Sequence, residues 1–96
     1  MIHSRALKSD IDDALLFKTK WIGIFFGTSD ISLKYKFGIK YKAALNRIKY
    51  AINYAKDNNL KIRFTAEDAT RTKLPFLIEV AQIAEEAGAD RFSIAE

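Results

Sequence analysis

Three polar residues alternate along one short segment and could together bind an anionic substrate. Arg63, Thr65 and Glu67 are spaced two apart, with the apolar Phe64 between the first two. In a β-strand, side chains two apart point to the same side of the sheet, so the three would share one face. An arginine fork suits a carboxylate, and a threonine hydroxyl can add a hydrogen bond. An ion pair between Arg63 and Glu67 would explain the same spacing, and the residues alone leave both interpretations open.

Composition narrows the other chemistry that the chain can perform. Its 96 residues include one histidine, His3, and no cysteine, which excludes disulfides, thiolate metal sites and cysteine nucleophiles. A lone histidine near a terminus is more often inert than catalytic. The composition is that of a soluble globular domain, and no apolar run approaches the ~20 residues of a membrane span. We therefore expect one small domain, no membrane contact and, since no secretory signal is visible, a cytoplasmic location.

The net charge of +4 is unevenly distributed along the chain. The basic residues concentrate in one stretch, where they alternate with aromatic side chains: Lys34, Tyr35, Lys36, Phe37, Lys40, Tyr41 and Lys42. Clustered cations and aromatic rings of this kind are typical of phosphate and nucleic-acid binding. A solvated loop and helix face would have the same composition. We favour this second interpretation, so nucleic acid is not an expected partner.

Three segments have the composition of β-strands and are separated by helices. The strands are predicted over 21–26, 61–65 and 91–95. The first is a near-continuous apolar run, which is typical of a parallel strand buried on both faces, and the other two alternate.

Apolar residues spaced three and four apart predict helices over 40–56 and 73–87, and a shorter helix is expected over 10–16. Short polar residues suit helix amino ends, and glycine or asparagine suits carboxyl ends. The predicted caps are Ser9 and Thr72 at amino ends, and Asn58, Asn59 and Gly88 at carboxyl ends.

This order of elements predicts an α/β fold with a parallel sheet. Three free-standing parallel strands would leave both edges open, and a complete (β/α)8 barrel takes about 250 residues. The predicted fold class is therefore a partial (β/α)8 barrel, with three parallel strands alternating with helices and residues 1–96 as one fragment. In such a barrel Arg63, Thr65 and Glu67 would face the lumen at the mouth, where barrel enzymes keep their active sites.

The segment 64–71, Phe-Thr-Ala-Glu-Asp-Ala-Thr-Arg, resembles the central signature of the 2-isopropylmalate, homocitrate and citramalate synthases. The resemblance continues through 77–80 and 85–91, and upstream through 26–30 and 3–12, so it covers nearly the whole chain. These enzymes belong with the HMG-CoA lyase-like TIM barrels. The resemblance implies that the chain is a part of the catalytic barrel, from about the end of strand three to strand six.

The resemblance also implies a reaction and roles for four residues. The family joins acetyl-CoA to a 2-oxo acid and hydrolyses the thioester, with a divalent metal polarising the 2-oxo group. Its metal ligands lie on the first and seventh strands, so this chain would supply none and would be inactive alone. Arg63 matches the arginine that binds the 2-oxo acid carboxylate, Thr65 and Glu67 match its neighbours, and His3 matches a catalytic histidine of the homocitrate branch.

Arg63 favours 2-oxoglutarate as substrate, and hence a homocitrate-synthase-like acyltransferase of lysine biosynthesis. The alternatives are an isopropylmalate or citramalate synthase and, outside the family, a non-catalytic remnant or interaction module. The implied partners are the 2-oxo acid and acetyl-CoA, with a complementing chain or self-association of the open barrel.

Several other residues are expected to have mainly structural roles. Asp68 and Arg71 are expected to pair and so organise their loop, while Thr28 and Ser29 could cap a strand end. The remaining positions are Arg5, with a structural or substrate-orienting role, Lys18, where relatives often have the glycine that ends a helix, and Glu96, where the family has aspartate.

Overall fold

The computed structural model describes residues 2–29 and 40–95. Within these ranges four strands alternate with three α-helices, and a single 3-10 turn, Ala69–Arg71, follows the third strand. The elements are β1 Ile2–Arg5, α1 Lys8–Leu15, β2 Trp21–Gly27, α2 Tyr41–Asp57, β3 Lys61–Glu67, α3 Leu74–Ala87 and β4 Arg91–Ile94.

The four strands form one sheet in the order β1-β2-β3-β4, and every neighbouring pair is parallel. The predicted α/β class and parallel sheet are confirmed, but the sheet has one strand more than the three predicted from the pattern. The extra strand, β1, has the sequence Ile-His-Ser-Arg, of which only Ser4 is buried. Four residues with three polar side chains do not produce the apolar run or the alternation by which strands are recognised.

The core lies on one side of this sheet. Along β3 the residues Ile62, Phe64 and Ala66 are buried, whereas Lys61 and Arg63 are exposed. The buried residues pack against α2 and α3, whose inward faces repeat every three or four residues because that spacing returns to one side of a helix. Those helical residues are Ala44, Ile48, Ala51, Ile52, Ala55, Phe76, Val80 and Ala84. The alternation therefore leaves the polar residues of β3 on the opposite face.

Two predicted amino-terminal caps are wrong. α1 begins after Leu7, which makes no side-chain capping bond, so Ser9 lies inside the helix. α3 begins after Lys73, not Thr72, because the Thr72 hydroxyl lies within hydrogen-bond distance of the Thr28 hydroxyl and donates to the Asp68 carbonyl instead.

The carboxyl-terminal predictions are confirmed at Gly88, with φ of 110°, and at Asn59, with φ of 64°. Asn58 is the C-cap of α2, as predicted, and has a negative φ. Lys18, after α1, also has a left-handed backbone, with φ of 52°. A lysine thus occupies a conformation that favours glycine.

The structure describes only the end of the basic aromatic stretch, from Lys40 to Lys42. Lys34, Tyr35, Lys36 and Phe37 lie outside the described residues, as do Asp30 and Glu96. Tyr41 stacks on Phe76, with ring centroids 4.3 Å apart, and so covers the protein's own core. No helix in the described ranges combines the length and the apolar character needed to cross a bilayer.

Candidate active site

The side of the sheet opposite the core, here called the open face, carries the residues predicted to bind substrate. Strand register aligns them in rows across the sheet. One row runs His3, Gly23, Arg63, Arg91, and the next row toward the carboxyl ends runs Arg5, Phe25, Thr65, Ser93. Glu67 follows, paired with Gly27. The structure therefore brings all four predicted residues, His3, Arg63, Thr65 and Glu67, to one face, while their roles stay predictions.

Arg63 is exposed near the centre of the open face. Its Nε–H donates to the Ser93 hydroxyl on β4, 3.1 Å away. The alternative ion pair with Glu67 is not formed in the described part of the chain, since residues four apart on a strand are separated by roughly 13 Å. The terminal nitrogens of the guanidinium have no partner among the described residues, so they can receive a carboxylate.

His3 lies in the same row as Arg63 but two strands away. At the usual strand spacing, their Cα atoms are about 10 Å apart. The position between them is Gly23, which has no side chain. His3 and Arg63 are both exposed, whereas Gly23 between them is buried.

Cations dominate the amino-terminal half of the open face. The Lys61 ammonium lies 5.7 Å from the Trp21 ring centroid, and the Arg91 guanidinium lies 5.8 Å from it. Both distances suit cation–π attraction. A cavity of about 400 Å³ is lined by Thr19, Lys20, Trp21, Arg63 and Arg91, and no carboxylate is found among the described residues of its wall. This half of the face therefore favours anions.

A second cavity, of about 330 Å³, lies at the carboxyl ends of β1–β3, and its wall includes Arg5, Phe25, Arg47 and Glu67. Arg5 is committed to Asp10: its Nε and Nη2 donate to the two carboxylate oxygens at 2.8 and 3.0 Å. The same carboxylate also accepts the Arg5 backbone N–H. The Arg5 guanidinium accordingly holds the pKa of Asp10 below its usual value. Arg5 thus joins the end of β1 to α1, which supports the structural role among its two expected roles.

A hydrogen-bonded loop follows β3 and fixes the position of Glu67. The backbone carbonyl of Glu67 accepts the Thr28 backbone N–H at 3.0 Å and lies within hydrogen-bond distance of the Thr28 hydroxyl, at 3.2 Å. The Thr28 and Thr72 hydroxyl oxygens are 2.7 Å apart. These contacts join the end of β2 to both ends of the loop after β3.

Asp68 occupies the turn of this loop with a left-handed backbone, φ 58°. Its carboxylate accepts the Ser29 hydroxyl at 2.5 Å and lies 3.8 Å from the Arg71 guanidinium. The predicted pairing of Asp68 with Arg71 is confirmed as a long contact. The shorter bond comes from Ser29, which was predicted only to cap a strand end. The signature sequence thus maintains the shape of the loop.

A divalent metal, which the family resemblance implies, has no ligand set here. The described residues contain no group of three histidine, cysteine, aspartate or glutamate side chains that could hold such an ion. The described residues therefore do not fit the metal by themselves.

Trp21, Arg91 and Ser93 lie next to Arg63 and are candidate site residues that the sequence pattern alone did not identify. Residues two apart on a strand point to the same side of the sheet, and this spacing in β4 is the signal that could have identified Arg91 and Ser93. Their register partners on β3 are Arg63 and Thr65, which belong to the open face.

Comparison with known proteins gives the family. The HMGL-like family model matches residues 1–96. The chain is 51% identical over 94 residues to a homocitrate synthase of Sulfurisphaera tokodaii, covering 98% of this chain and 20% of that protein. It is 45% identical over 96 residues to a homocitrate synthase of Pyrococcus horikoshii, covering 100% of this chain and 27% of that protein.

A similar fold occurs in the crystal structure of hydroxymethylglutaryl-CoA lyase from Pseudomonas aeruginosa, with a TM-score of 0.77 at 15% identity, over 96% of this chain and 33% of that one. That likeness confirms the partial-barrel fold. The chain spans between 20% and 27% of the length of the two homocitrate synthases. Since the family model covers all 96 residues, the chain belongs to the HMGL-like family.

Proposed function

We propose that this chain forms one part of the active site of a homocitrate synthase, which condenses acetyl-CoA with 2-oxoglutarate in lysine biosynthesis. The observation that carries the proposal is Arg63, exposed on the open face with its terminal nitrogens available. The resemblance to two homocitrate synthases supports it. A cytoplasmic location and a divalent metal held by other strands belong to the same proposal.

Arg63 is proposed to bind the carboxylate that distinguishes 2-oxoglutarate from apolar 2-oxo acids. A guanidinium can donate two parallel N–H bonds to a carboxylate, and a charge-assisted contact of this kind contributes about 1.5–3 kcal/mol. Thr65 lies one row further toward the carboxyl ends, half-buried on the same face, and can add its hydroxyl. The surrounding Lys61 and Arg91 raise the local positive potential and so favour a doubly charged substrate.

His3 is proposed to transfer a proton during the condensation, and Glu67 is proposed to help bind substrate. Condensation requires removal of a proton from the acetyl methyl group, and histidine is suited to proton transfer. His3 lies in the same row as Arg63, with Gly23 between them. Glu67 lies at the carboxyl end of β3, with its backbone held by Thr28.

The test is a chimera in which this chain replaces the matching segment of the Sulfurisphaera tokodaii enzyme. We expect 2-oxoglutarate-dependent release of CoA from acetyl-CoA. Arg63→Ala should lower kcat/KM for 2-oxoglutarate by roughly ten- to a hundredfold, at about 1.4 kcal/mol per factor of ten. Arg63→Lys should recover only part of the loss, because a single ammonium does not reproduce the planar fork.

Lys49→Ala is the matched control, since Lys49 is an exposed cation on α2, away from the open face, and is not proposed to touch substrate. A stable Arg63→Ala chimera with unaltered 2-oxoglutarate kinetics would refute the assignment. A folded chimera that prefers an apolar 2-oxo acid would instead assign the segment to the isopropylmalate or citramalate branch.

A further inference from the structure

Ser93 is the one side chain in the described residues that hydrogen-bonds Arg63. It lies on β4, in register with Thr65 and therefore one row nearer the carboxyl ends than Arg63. The Arg63 side chain thus crosses from its own row into the next one. This contact sets the direction of the guanidinium on the open face.

Arg63 and its neighbour Arg91 have different partners. They are register partners on adjacent strands, and like charges directly opposite each other in a sheet are unfavourable. The Arg91 guanidinium lies 5.8 Å from the Trp21 ring centroid, whereas Arg63 bonds to Ser93. Both arginine side chains line the same cavity.

Which nitrogen of Arg63 is used has a consequence for binding. An arginine presents its N–H donors along a side edge, formed by Nε and one Nη, and along an end edge, formed by the two Nη atoms. Since Ser93 accepts the Nε–H, the side edge is occupied. The end edge remains available for both oxygens of a carboxylate.

We propose that Ser93 is a positioning residue for substrate binding: it holds Arg63 so that the end edge of the guanidinium receives the distal carboxylate of a 2-oxo dicarboxylate. This inference rests on the proposed function, because it assigns Ser93 a role through Arg63. Ser93 does not itself touch the substrate.

The experiment measures steady-state kinetics of Ser93→Ala in the chimera described above. KM for 2-oxoglutarate should rise about three- to tenfold, as expected for the loss of one orienting hydrogen bond, with kcat within about twofold. KM for acetyl-CoA should not change. Inhibition by glutarate, which keeps both carboxylates but lacks the 2-oxo group, should weaken by the same factor as KM rises. Ser93→Thr, which keeps the hydroxyl, should restore the original KM.

Arg63→Ala provides the background that separates positioning from a general structural effect, because alanine has no side-chain donor for Ser93. In that background Ser93→Ala should have no further effect on KM. Equal effects in the arginine and alanine backgrounds, or a parallel loss of kcat and Tm that threonine does not restore, would overturn the proposal.

The outcome also separates this inference from the proposed function. A folded parent chimera without activity on 2-oxoglutarate counts against the function itself. An active chimera that is sensitive to Arg63→Ala but indifferent to Ser93→Ala counts against the role of Ser93 alone.

Discussion

Asp90 connects three elements through one carboxylate, and its substitution gives the sharpest test of how the sheet is held together. Its Oδ2 accepts the Ile62 backbone N–H at 2.9 Å and the Lys56 ammonium at 2.8 Å. Its own backbone N–H donates to the Ile62 carbonyl at 2.8 Å. Asp90 precedes β4, Ile62 begins the buried face of β3, and Lys56 belongs to α2, so one side chain sets where these elements meet.

Two substitutions separate its contributions. Asp90→Ala removes the acceptor and leaves the half-buried Ile62 N–H unpaired, which should cost about 1–3 kcal/mol of unfolding free energy. Asp90→Asn keeps an acceptor oxygen and loses the ion pair. Since the Lys56 side chain is 40% exposed, that loss should be only about 0.5–1 kcal/mol. Lys56→Met should match the asparagine variant, because it keeps most of the aliphatic stem that packs near Gly88.

The ion pair also predicts a pH dependence. The Lys56 ammonium, and after it the Ile62 N–H, hold the pKa of Asp90 below its usual value. The unfolded chain keeps an ordinary aspartate pKa of about 3.9, so the stabilisation is fully present above about pH 5. It is lost as the pH falls through the lowered pKa of the folded state. The difference between wild type and Asp90→Asn should therefore shrink on acidification.

Urea denaturation followed by the fluorescence of Trp21, the single tryptophan, measures these differences. Each variant is compared at neutral and acidic pH and at two protein concentrations, so that any association is detected. Equal destabilisation by alanine and asparagine, or a difference between wild type and asparagine that does not change with pH, would refute the reasoning.

Two other outcomes are expected. Lys18→Gly should stabilise the chain by up to about 1 kcal/mol, because glycine removes the cost of the left-handed backbone at this position, whereas Lys18→Ala should not; thermal melting distinguishes them. The 96-residue polypeptide expressed alone should release no CoA above a blank and should self-associate, because β1 and β4 each pair on one side only in the described sheet. A sharp thermal transition, together with a monomeric mass by light scattering, would contradict the predicted self-association.

Much of the fold could be predicted because its long elements have strong patterns. β2 is one residue longer than predicted, and β3 is two residues longer. The helices α2 and α3 each begin one residue after the predicted start. The residue pattern alone missed β1, because a short polar strand carries no periodic signal of its own, although the family resemblance implied the end of a strand near this segment. It is recognised as a strand through its pairing with β2, which local sequence does not encode.

The candidate site, like the fold, could be predicted from the sequence only in part. Period two within one strand was enough to place Arg63 and Thr65 on a common face. The contact of Arg63 with Ser93 depends on the register between β3 and β4, and that register is set by packing of the whole sheet. Thr72 gives a second example. The local sequence predicted that its hydroxyl would cap α3, but the hydroxyl instead contacts the Thr28 hydroxyl and the Asp68 carbonyl. The Thr28 contact depends on how two distant segments pack together.

The strand order has a consequence for how such a sheet is made during protein synthesis. In the described sheet β2, β3 and β4 each pair with the strand that precedes them in the chain, so none of these three has to wait for a distant partner to be translated. β2 can add to β1, and β3 to β2, as each emerges from the ribosome, with one helix closing each step. The chain length closed at each step stays that of one strand–helix unit, which keeps its entropic cost nearly constant. The sheet can therefore grow unit by unit, in the direction of translation.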